Sequence, residues 1–399
     1  MNSTFKVAIV GGGASGLLCA VELLLGSTCL SGGDILLLER NDRVGKKLIV
    51  TGNGQGNLSN ENLSISNYHG DKDFINAFSS NFLHTNLKEY FYNLGIPLRS
   101  DEEGRIYPLS KTASSVLDII RAFLESKGVN ILTNCYVTMV QKKDKFCIES
   151  SCGKYFSDFC VFAFGGKSAK QFGTDGTSYK LAQNLGHRLS QLCPSLVQLK
   201  TDTSYIRGLK GIKEQVKIKA FDGDEFVGES TGDLLFTDYG ISGDSVFKIS
   251  SVVMQYKKPN ISIEFLPNED NNNLLDIIKY KSQLKYIDKQ EILTGLVNKR
   301  VGYQILKRTS EKTPKEILSV LKDFRLDILG SLDFDSSQVT KGGIITDDVN
   351  PFTLRSKLHK GLYLVGELLN VDGDCGGYNL TFAFISGINC ARDIKTQCK

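Results

Sequence analysis

The chain has 399 residues, of which 41% are apolar and 23% charged, as is typical of a globular protein with two or three domains. No apolar run approaches the roughly 20 residues of a membrane helix, and the ten cysteines and four histidines show no zinc-ligand spacing, so we expect neither a membrane span nor a metal site. Because the net charge is only +4 and the basic residues are spread along the chain, we do not expect a nucleic-acid partner. Several cysteines lie in apolar runs, where buried thiols are expected, and no signal peptide is visible, so we expect a reducing cytoplasmic location.

The first forty residues follow the order strand, loop, helix, strand. The apolar run 5–10 predicts a strand, residues 17–25 predict a helix, and residues 34–39 predict a second strand that ends at Glu39. The loop after the first strand reads Gly11-Gly-Gly-Ala-Ser-Gly16. This combination is the βαβ fingerprint of dinucleotide binding.

The glycines of this loop have separate predicted roles. Gly11 permits a tight turn, Gly13 lets the backbone approach a pyrophosphate, and Gly16 lets the helix pack close to the strand. A positive φ is a second reason to expect a glycine at Gly13. Glu39 is placed to accept hydrogen bonds from ribose hydroxyls, and the free N–H groups at the helix N-terminus are placed to bind phosphates.

A polar loop, residues 45–60, follows the second strand. Its three alternating glycines let the backbone lie flat against a ligand, and Asn53 and Asn57 bring amide donors and acceptors beside it. Lys46 and Lys47 either place charge near a pyrophosphate or belong to a solvated surface, and both alternatives remain open.

The next part of the chain alternates between short helices and strands. The pattern predicts helices at 71–83, 85–94 and 112–127, a hairpin at 98–108, and strands at 130–133, 136–141, 145–150 and 155–157. An apolar strand at 159–164 then ends at Gly165 and Gly166. A buried strand that ends in two glycines resembles the strand that meets the cofactor a second time in two-dinucleotide-binding flavoproteins. Asp175 is placed to cap a helix at 178–185.

After Pro194 the pattern changes to strands. They are predicted at 196–199, 216–221, 225–229, 234–237 and 260–266, with a helix at 245–253 and a mainly helical stretch at 271–324. This part does not repeat the glycine fingerprint, so the chain has one dinucleotide domain.

The C-terminal segment is predicted to return to the first domain. Residues 361–367 read as a buried strand that ends in Gly366 and Glu367, and a last helix is predicted from Leu380 to about Ile394. Gly376 and Gly377 precede this helix and leave its N–H groups free to face a ligand.

Together these blocks resemble the bacterial FAD-binding flavoproteins called aminoacetone oxidase-like or BaiN-like. The resemblance covers almost the whole chain and rests on residues 11–16 with Glu39, 45–60, 165–176, 185–194, 235–243, 340–343 and 366–379. The chain departs from the family pattern at Gly54-Gln-Gly-Asn57, where the family has Gly-Arg-Cys-Asn, and at Asp244, where the family has proline.

The resemblance implies an α/β fold with a Rossmann-like FAD-binding domain of the two-dinucleotide-binding flavoprotein type. It implies that residues 1–194 plus 340–399 form this domain, that residues 195–266 plus 325–339 form an inserted β-rich domain, and that residues 267–324 form a small helical domain. It also implies non-covalent FAD and no separate nicotinamide domain, in agreement with the single fingerprint.

The predicted cofactor-binding residues come from the fingerprint, the polar loop, the strand ends and the C-terminal turn. They are Gly11, Gly13, Ala14, Ser15, Gly16, Glu39, Arg40, Lys46, Lys47, Thr51, Gly52, Asn53, Gly54, Asn57, Val137, Gly165, Gly166, Gly366, Glu367, Asp372, Gly376, Gly377, Tyr378 and Asn379.

The first functional hypothesis is an FAD-dependent oxidoreductase that transfers a hydride at flavin N5 to or from a small organic substrate. The family suggests amine or ketone oxidation or a steroid-like ene reduction, with oxygen as acceptor or a reduced nicotinamide as donor. His187 and Tyr378 are candidates for the general base, although His187 is more typical of a structural role. The alternative hypothesis is a non-catalytic flavin-binding protein that responds to redox state or associates with RNA.

Overall fold

The structure is a computed structural model that describes residues 3–398, without the side chains of Leu83 and His84. The α-helices of the described residues are α1 (Ala14–Leu24), α2 (Lys72–Phe78), α3 (Ser80–His84), α4 (Leu87–Asn93), α5 (Ala113–Ser126), α6 (Tyr179–Gln183), α7 (Asp244–Val253), α8 (Asn271–Gln283), α9 (Lys299–Lys307), α10 (Pro314–Lys322) and α11 (Tyr378–Gln397).

The described strands are β1 (Ser3–Val10), β2 (Ile35–Leu38), β3 (Ser59–Asn60), β4 (Tyr68–Gly70), β5 (Leu98–Ser100), β6 (Arg105–Pro108), β7 (Asn130–Leu132), β8 (Val137–Lys142), β9 (Phe146–Ser150), β10 (Gly153–Phe162), β11 (Cys193–Ser195), β12 (Leu199–Thr201), β13 (Lys213–Asp222), β14 (Glu225–Phe236), β15 (Gly240–Ser242), β16 (Pro259–Phe265), β17 (Phe324–Ser331), β18 (Val339–Lys341), β19 (Leu362–Leu364) and β20 (Val371–Gly373).

The chain divides into two compact units. The first unit contains Met1–Cys193 and Val339–Lys399, and the second contains Pro194–Gln338. Each unit has its own cluster of buried hydrophobic residues. We propose that the second unit subdivides as the sequence predicts, into a β-rich part and a helical part at 267–324.

The first unit is built on a seven-stranded sheet. Its strands lie in the order β7-β2-β1-β10-β9-β8, and β19 pairs with β10. The strands β7, β2, β1, β10 and β19 are parallel, whereas β9 and β8 form an antiparallel meander. The central strands are almost entirely apolar, as expected for a parallel sheet that is covered on both faces.

The parallel strands end in register. Val10 is aligned with Leu38 on one side and with Phe162 on the other, and Phe162 is aligned with Leu364. The loops that follow these four residues therefore leave the same edge of the sheet. Ligands of such sheets bind at the carboxyl ends of the strands, so this edge is where a site is expected.

The second unit is built on a closed six-stranded barrel with the strand order β12-β15-β14-β13-β16-β17. Helix α7 packs on β13 and β14, and Val246 and Ile249 of this helix are buried in the core. Helices α8, α9 and α10 contribute the buried side chains Leu274, Ile305 and Ile317 to the same core.

Several predicted boundaries differ from the structure. The strands predicted at 155–157 and 159–164 form one strand, β10, and those at 225–229 and 234–237 form one strand, β14. The strand predicted at 196–199 begins at Leu199 instead, and β17 lies where the helical stretch was predicted to end. Turn-forming residues such as Asp158 and Gly232 misled the prediction, because pairing to neighbouring strands outweighs local propensity.

Candidate functional site

The Gly11–Gly16 loop joins β1 to α1. Gly11 has φ +109°, and a Cβ atom there would lie 2.4 Å from the carbonyl oxygen of Ala163. A Cβ atom on Gly16 would lie 2.0 Å from the carbonyl oxygen of Gly11. Both glycines are therefore required by the packing of helix, turn and sheet.

Gly13 differs from these two glycines. Its φ is −85° and its ψ is −166°, so the expected positive φ is wrong, because the backbone there is extended. A Cβ atom on Gly13 would meet no described atom within 4 Å. Gly13 is also the N-cap of α1 and provides no side chain to bind the free N–H groups. The start of α1 thus faces open space with its donors available.

Glu39 stands at the carboxyl end of β2 and is 7% exposed. Its Oε2 accepts a hydrogen bond of 2.8 Å from the Gly12 N–H, and its Oε1 accepts bonds of 2.9 and 2.7 Å from the backbone and side-chain amides of Asn41. A carboxylate has about four acceptor positions, so Glu39 is almost fully engaged.

Arg40 is held by the protein itself. Its guanidinium donates to Asp175 at 2.8 Å and lies 5.0 Å from the ring centre of Tyr136. Burial opposes ionisation of Asp175, but hydrogen bonds from Arg40 and Thr177 hold the pKa of its carboxyl at about 2. Asp175 accepts from the Thr177 N–H just ahead of α6, whose N-cap is Ser178.

The polar loop carries an unusual backbone. Gly52, Asn53 and Gly54 are consecutive and all have positive φ, at 56°, 55° and 83°. Thr51, just before them, donates its hydroxyl to the Leu48 carbonyl at 2.7 Å. Three successive left-handed residues fold the loop tightly and leave the side chain of Asn53 exposed.

The two lysines of this loop have different partners. Lys46 pairs with the exposed carboxylate of Asp42 at 2.6 Å. Lys47 reaches across to Glu367 and contacts its two oxygens at 3.1 and 2.9 Å. Lys47 therefore joins the polar loop to the end of β19.

Glu367 is the centre of a second group of contacts. Besides Lys47, it accepts the Thr340 N–H at 3.0 Å, and a Cβ atom on Gly166 would lie 2.5 Å from the Thr340 hydroxyl. Gly165 lies nearby with φ +72°. Thr340 therefore connects Gly166 with Glu367. The sequence analysis did not predict it as a site residue.

The start of α1 is also in contact with the end of β19. A Cβ atom on Gly366 would lie 2.6 Å from the Ser15 hydroxyl, and the Gly366 N–H donates to Ser386 at 2.9 Å. Ala14 follows the N-cap as the first residue of α1. The structure thus brings α1, β19 and α11 together.

Gly376 and Gly377 form the turn before α11, with φ values of 128° and 102°. A Cβ atom on Gly377 would lie 2.4 Å from the Ser59 carbonyl oxygen and 2.8 Å from Asn57 Oδ1. Asn60 donates to the Gly376 carbonyl at 3.0 Å. This turn therefore packs directly against the polar loop.

Asp372 lies on β20, opposite His69 on β4. It is 1% exposed, and neither carboxylate oxygen has a hydrogen-bond partner in the part of the chain that the structure describes. Burial raises the pKa of Asp372 to about 6, against the opposing fields of His69 and Lys341. The Oδ1 of Asn57 is likewise buried without a partner. These unsatisfied acceptors lie on the two segments that flank the Gly376–Gly377 turn.

A histidine and an acid stand beside Asp372. His69 Nε2 lies 2.8 Å from Asp374 Oδ1, and the hydrogen bond with Asp374 raises the pKa of the imidazole. Sequence reasoning missed both residues. Asp374 was signalled only by its place two residues after Asp372, and the sequence carries no signal for His69.

Tyr378 and Asn379 begin α11. Burial raises the pKa of Tyr378, and its hydroxyl lies 3.5 Å from the Asn62 carbonyl, at the outer limit of a hydrogen bond. Asn379 bonds the N–H and the carbonyl of Gly373 at 2.8 and 2.7 Å and so locks the end of β20 to the helix.

Two predicted residues lie apart from these contacts. Val137 is buried at the start of β8, opposite Ser150. His187 is buried with its Nε2 2.9 Å from the Ser356 hydroxyl, and burial lowers the pKa of its imidazole. These surroundings give His187 a structural role.

The chain matches the model of the HI0933-like protein Rossmann domain over residues 5–393. It belongs to this family. Curated relatives match the HI0933-like chain over 97% or more of its length. It is 35% identical to a 3-dehydro-bile acid delta(4,6)-reductase of Clostridium scindens, with 97% of this chain and 98% of the relative covered. It is 25% identical to a ribosomal RNA dihydrouridine synthase of Haemophilus influenzae, with both chains covered completely.

Solved structures share the fold of the HI0933-like chain. A 3-ketosteroid delta1-dehydrogenase of Sterolibacterium denitrificans matches with a TM-score of 0.52 at 12% identity. The match covers 99% of this chain and 100% of the dehydrogenase. The FrdA subunit of the Escherichia coli quinol fumarate reductase matches with a TM-score of 0.51 at 13% identity. The match covers 100% of this chain and 71% of the FrdA chain.

The HI0933-like chain is a FAD-dependent oxidoreductase with a Rossmann-like fold. The residues present fit this cofactor. The open space at Gly13 suits a pyrophosphate, and the buried acceptors of Asp372 and Asn57 lack the donors that cofactor hydroxyl and N–H groups supply. No described helix is long and apolar enough to cross a membrane, and no described cluster of side chains has the composition of a metal site.

Proposed function

We propose that this oxidoreductase reduces a carbon–carbon double bond conjugated with a ketone, in a small molecule with a steroid-like skeleton. The relative of 35% identity, whose name specifies a 3-dehydro-bile acid and a delta(4,6) reduction, supports this substrate class. In such a compound the ketone withdraws electrons from the double bond. A hydride therefore adds to the carbon remote from the ketone, and a proton must follow.

The residues assigned to FAD come from both glycine turns. We assign the pyrophosphate to the start of α1 at Gly13, the ribose to Glu39, and cofactor donor groups to Asp372 and Asn57. Once bound and reduced by an electron donor, the flavin would supply the hydride from N5. The N–H groups at the start of α11 have no side-chain cap, and we assign to them the stabilisation of negative charge on the reduced flavin.

The observation that carries the proposal is that Tyr378 has a buried phenol with only one weak hydrogen bond among the described residues. Its phenol is buried at the start of α11, directly after the Gly376–Gly377 turn, and like any tyrosine it carries a proton at neutral pH. The 3.5 Å contact to the Asn62 carbonyl is weak and leaves the O–H group available. We therefore assign Tyr378 as the acid that protonates the substrate after hydride addition, with the His69–Asp374 pair as a nearby proton reservoir.

The proposal is tested by single-turnover kinetics. The purified flavoprotein is reduced with dithionite without oxygen and mixed with a 3-oxo-delta4 or a 3-oxo-delta4,6 steroid acid, and the flavin absorbance is followed. This design does not require the natural electron donor. We expect flavin reoxidation to match formation of the saturated product.

The role of Tyr378 is tested in the same experiment. Tyr378→Phe should keep its FAD and lose roughly 10²–10⁴-fold in rate, the usual contribution of a general acid. Tyr92→Phe is the matched control, because Tyr92 is 70% exposed on α4. An unchanged rate in Tyr378→Phe contradicts the assignment of the acid, and no reoxidation by either steroid acid contradicts the substrate class.

A second candidate reaction is reduction of uridine in RNA. The dihydrouridine synthase of 25% identity supports it, since uracil also contains a double bond conjugated with a carbonyl. A uridine-rich RNA added to the reduced protein separates the two candidates. Reoxidation by the RNA but not by the steroid acids assigns the second reaction.

A further inference from the structure

The positive charge of the second unit is concentrated in its helical part. Residues 271–312 contain nine lysines and arginines against four aspartates and glutamates, a net charge of +5, whereas the whole chain carries only +4. A cleft of about 620 Å³ lies in this region. Four cationic side chains line it, namely Arg207, Arg300, Lys307 and Lys312, and no lining residue is acidic.

These four cations have no carboxylate within ion-pair distance among residues 3–398. Arg300 makes one long contact of 3.5 Å to the Gly208 carbonyl. Two neighbouring cations have partners within the protein. Lys299 pairs with Glu291, and Arg308 lies 3.9 Å from the ring centre of Phe324. Among the described residues, the cations of the cleft are thus left without a carboxylate partner.

The other side chains that line the cleft could bind an aromatic ring of a ligand next to its anionic group. Tyr303 presents an aromatic side chain, and its hydroxyl is fixed by a 3.2 Å hydrogen bond to Glu291. Gln290 and Gln304 also line the cleft, and Gln304 is fixed by a 2.6 Å bond to the Arg207 carbonyl. An aromatic ring can stack on a base, and grouped cations bind phosphate oxygens.

We propose that this cleft binds a nucleotide through its phosphate groups. Four like charges around one concave surface repel one another, and an anion of two or more charges relieves this repulsion. A volume of about 620 Å³ suits a ligand of nucleotide size. The nucleotide is either free or part of an RNA strand, because both present the same phosphate chemistry. This inference does not depend on the substrate proposed above.

The test uses the FAD-saturated protein, so that the flavin site is filled. The probes are ADP, NADPH and a fluorescent single-stranded RNA of twelve nucleotides, with inorganic phosphate as competitor. Lys307→Gln/Lys312→Gln removes two charges from the cleft. Lys257→Gln/Lys258→Gln is the matched control, because it removes two exposed charges from the same unit outside the cleft.

We expect at least one probe to bind the wild-type protein, and the cleft variant to bind it roughly tenfold or more weakly, as for the loss of charged hydrogen bonds. The control should stay within about twofold, and wild-type binding should fall as salt rises. Binding of ADP or NADPH assigns a free nucleotide, and binding of the RNA alone assigns an RNA strand. Absence of binding, or equal losses in both variants, overturns the proposal.

Discussion

Two glycine turns of the first unit precede a helix, and the structure completes them in opposite ways. At the start of α1, a Cβ atom on Gly13 would meet open space, and the nearby Glu39 has three hydrogen-bond donors. At the start of α11, a Cβ atom on Gly377 would overlap the Ser59 carbonyl, and the nearby Asp372 has no donor. The first turn leaves open space in which a ligand could lie. The second turn is filled by protein atoms, but the Asp372 carboxylate beside it could accept hydrogen bonds from a ligand.

This difference teaches what a glycine pattern can and cannot indicate. The same residue type serves ligand approach in one turn and chain packing in the other. A substitution should therefore affect binding at Gly13 and folding at Gly377. The following predictions test that separation, from the largest expected effect to the smallest.

Gly13→Val should abolish FAD binding and cost the FAD-free protein no more than about 1 kcal/mol of stability, the loss expected when valine replaces glycine at an N-cap. Valine tolerates the extended backbone of Gly13, and its side chain would occupy the space assigned to the pyrophosphate. Flavin absorbance per protein and thermal unfolding of the apoprotein measure the two effects.

Gly16→Val is the matched control, because a Cβ atom there would lie 2.0 Å from the Gly11 carbonyl oxygen and should destabilise the fold itself. Wild-type flavin content in Gly13→Val would show that the pyrophosphate lies elsewhere.

Gly377→Ala should destabilise the apoprotein by about 3 kcal/mol or more, since it adds left-handed strain to a backbone overlap. Gly26→Ala separates the two causes, because Gly26 has φ +60° and a Cβ atom there would meet nothing within 4 Å. We expect only about 1 kcal/mol from Gly26→Ala. Equal losses of urea-unfolding free energy in both variants would mean that the Ser59 contact costs nothing.

Asp372 should make the FAD-free protein less stable as pH rises. Its folded pKa of about 6 lies above the ordinary value of 3.8, so the folded state binds the proton more tightly. The penalty is absent below about pH 4, grows between pH 4 and 6, and reaches at most about 3 kcal/mol above that window.

Asp372→Asn should lack this loss when urea unfolding is compared at pH 4 and pH 7. Because His69 faces Asp372 and the hydrogen bond with Asp374 raises the pKa of its imidazole, His69→Gln is the control and should keep the loss. A wild-type curve that is flat between pH 4 and 7 would show that the carboxylate is satisfied in the apoprotein.

Glu39→Gln should weaken FAD by about 1–3 kcal/mol, the range for a hydrogen bond to a charged group. The effect is the smallest because a glutamine oxygen still accepts the Gly12 N–H. Glu102→Gln, at an exposed position, should leave the dissociation constant unchanged. If both variants bind FAD equally well, Glu39 only shapes the loop and does not contact the ribose.

The first turn was predictable because its information is local. The glycine spacing, the flanking apolar runs and Glu39 all lie within forty residues. The family resemblance, the FAD cofactor and the Rossmann-like fold, all read from the sequence, are confirmed. The predicted list of cofactor contacts remains a prediction, although the structure brings many of its members to one edge of the sheet.

The remaining features depend on contacts between distant residues. Nothing in the sequence places Thr340 between Gly166 and Glu367, or His69 opposite Asp372. The basic cleft was missed for the same reason, because Arg207 and Lys312 are far apart in the chain and the total charge conceals their grouping.

The close contact between α1 and α11 has a consequence for how the protein is made. A Cβ atom on Gly387 would lie 2.2 Å from the Ser15 carbonyl oxygen, so these helices touch backbone to backbone. The ribosome releases α1 before α11, with the whole second unit between them. The second unit can therefore fold while the first waits for α11, and this long-range closure should be the slow step of folding. Until then the packing of the Gly376–Gly377 turn against Ser59 and Asn57 cannot form.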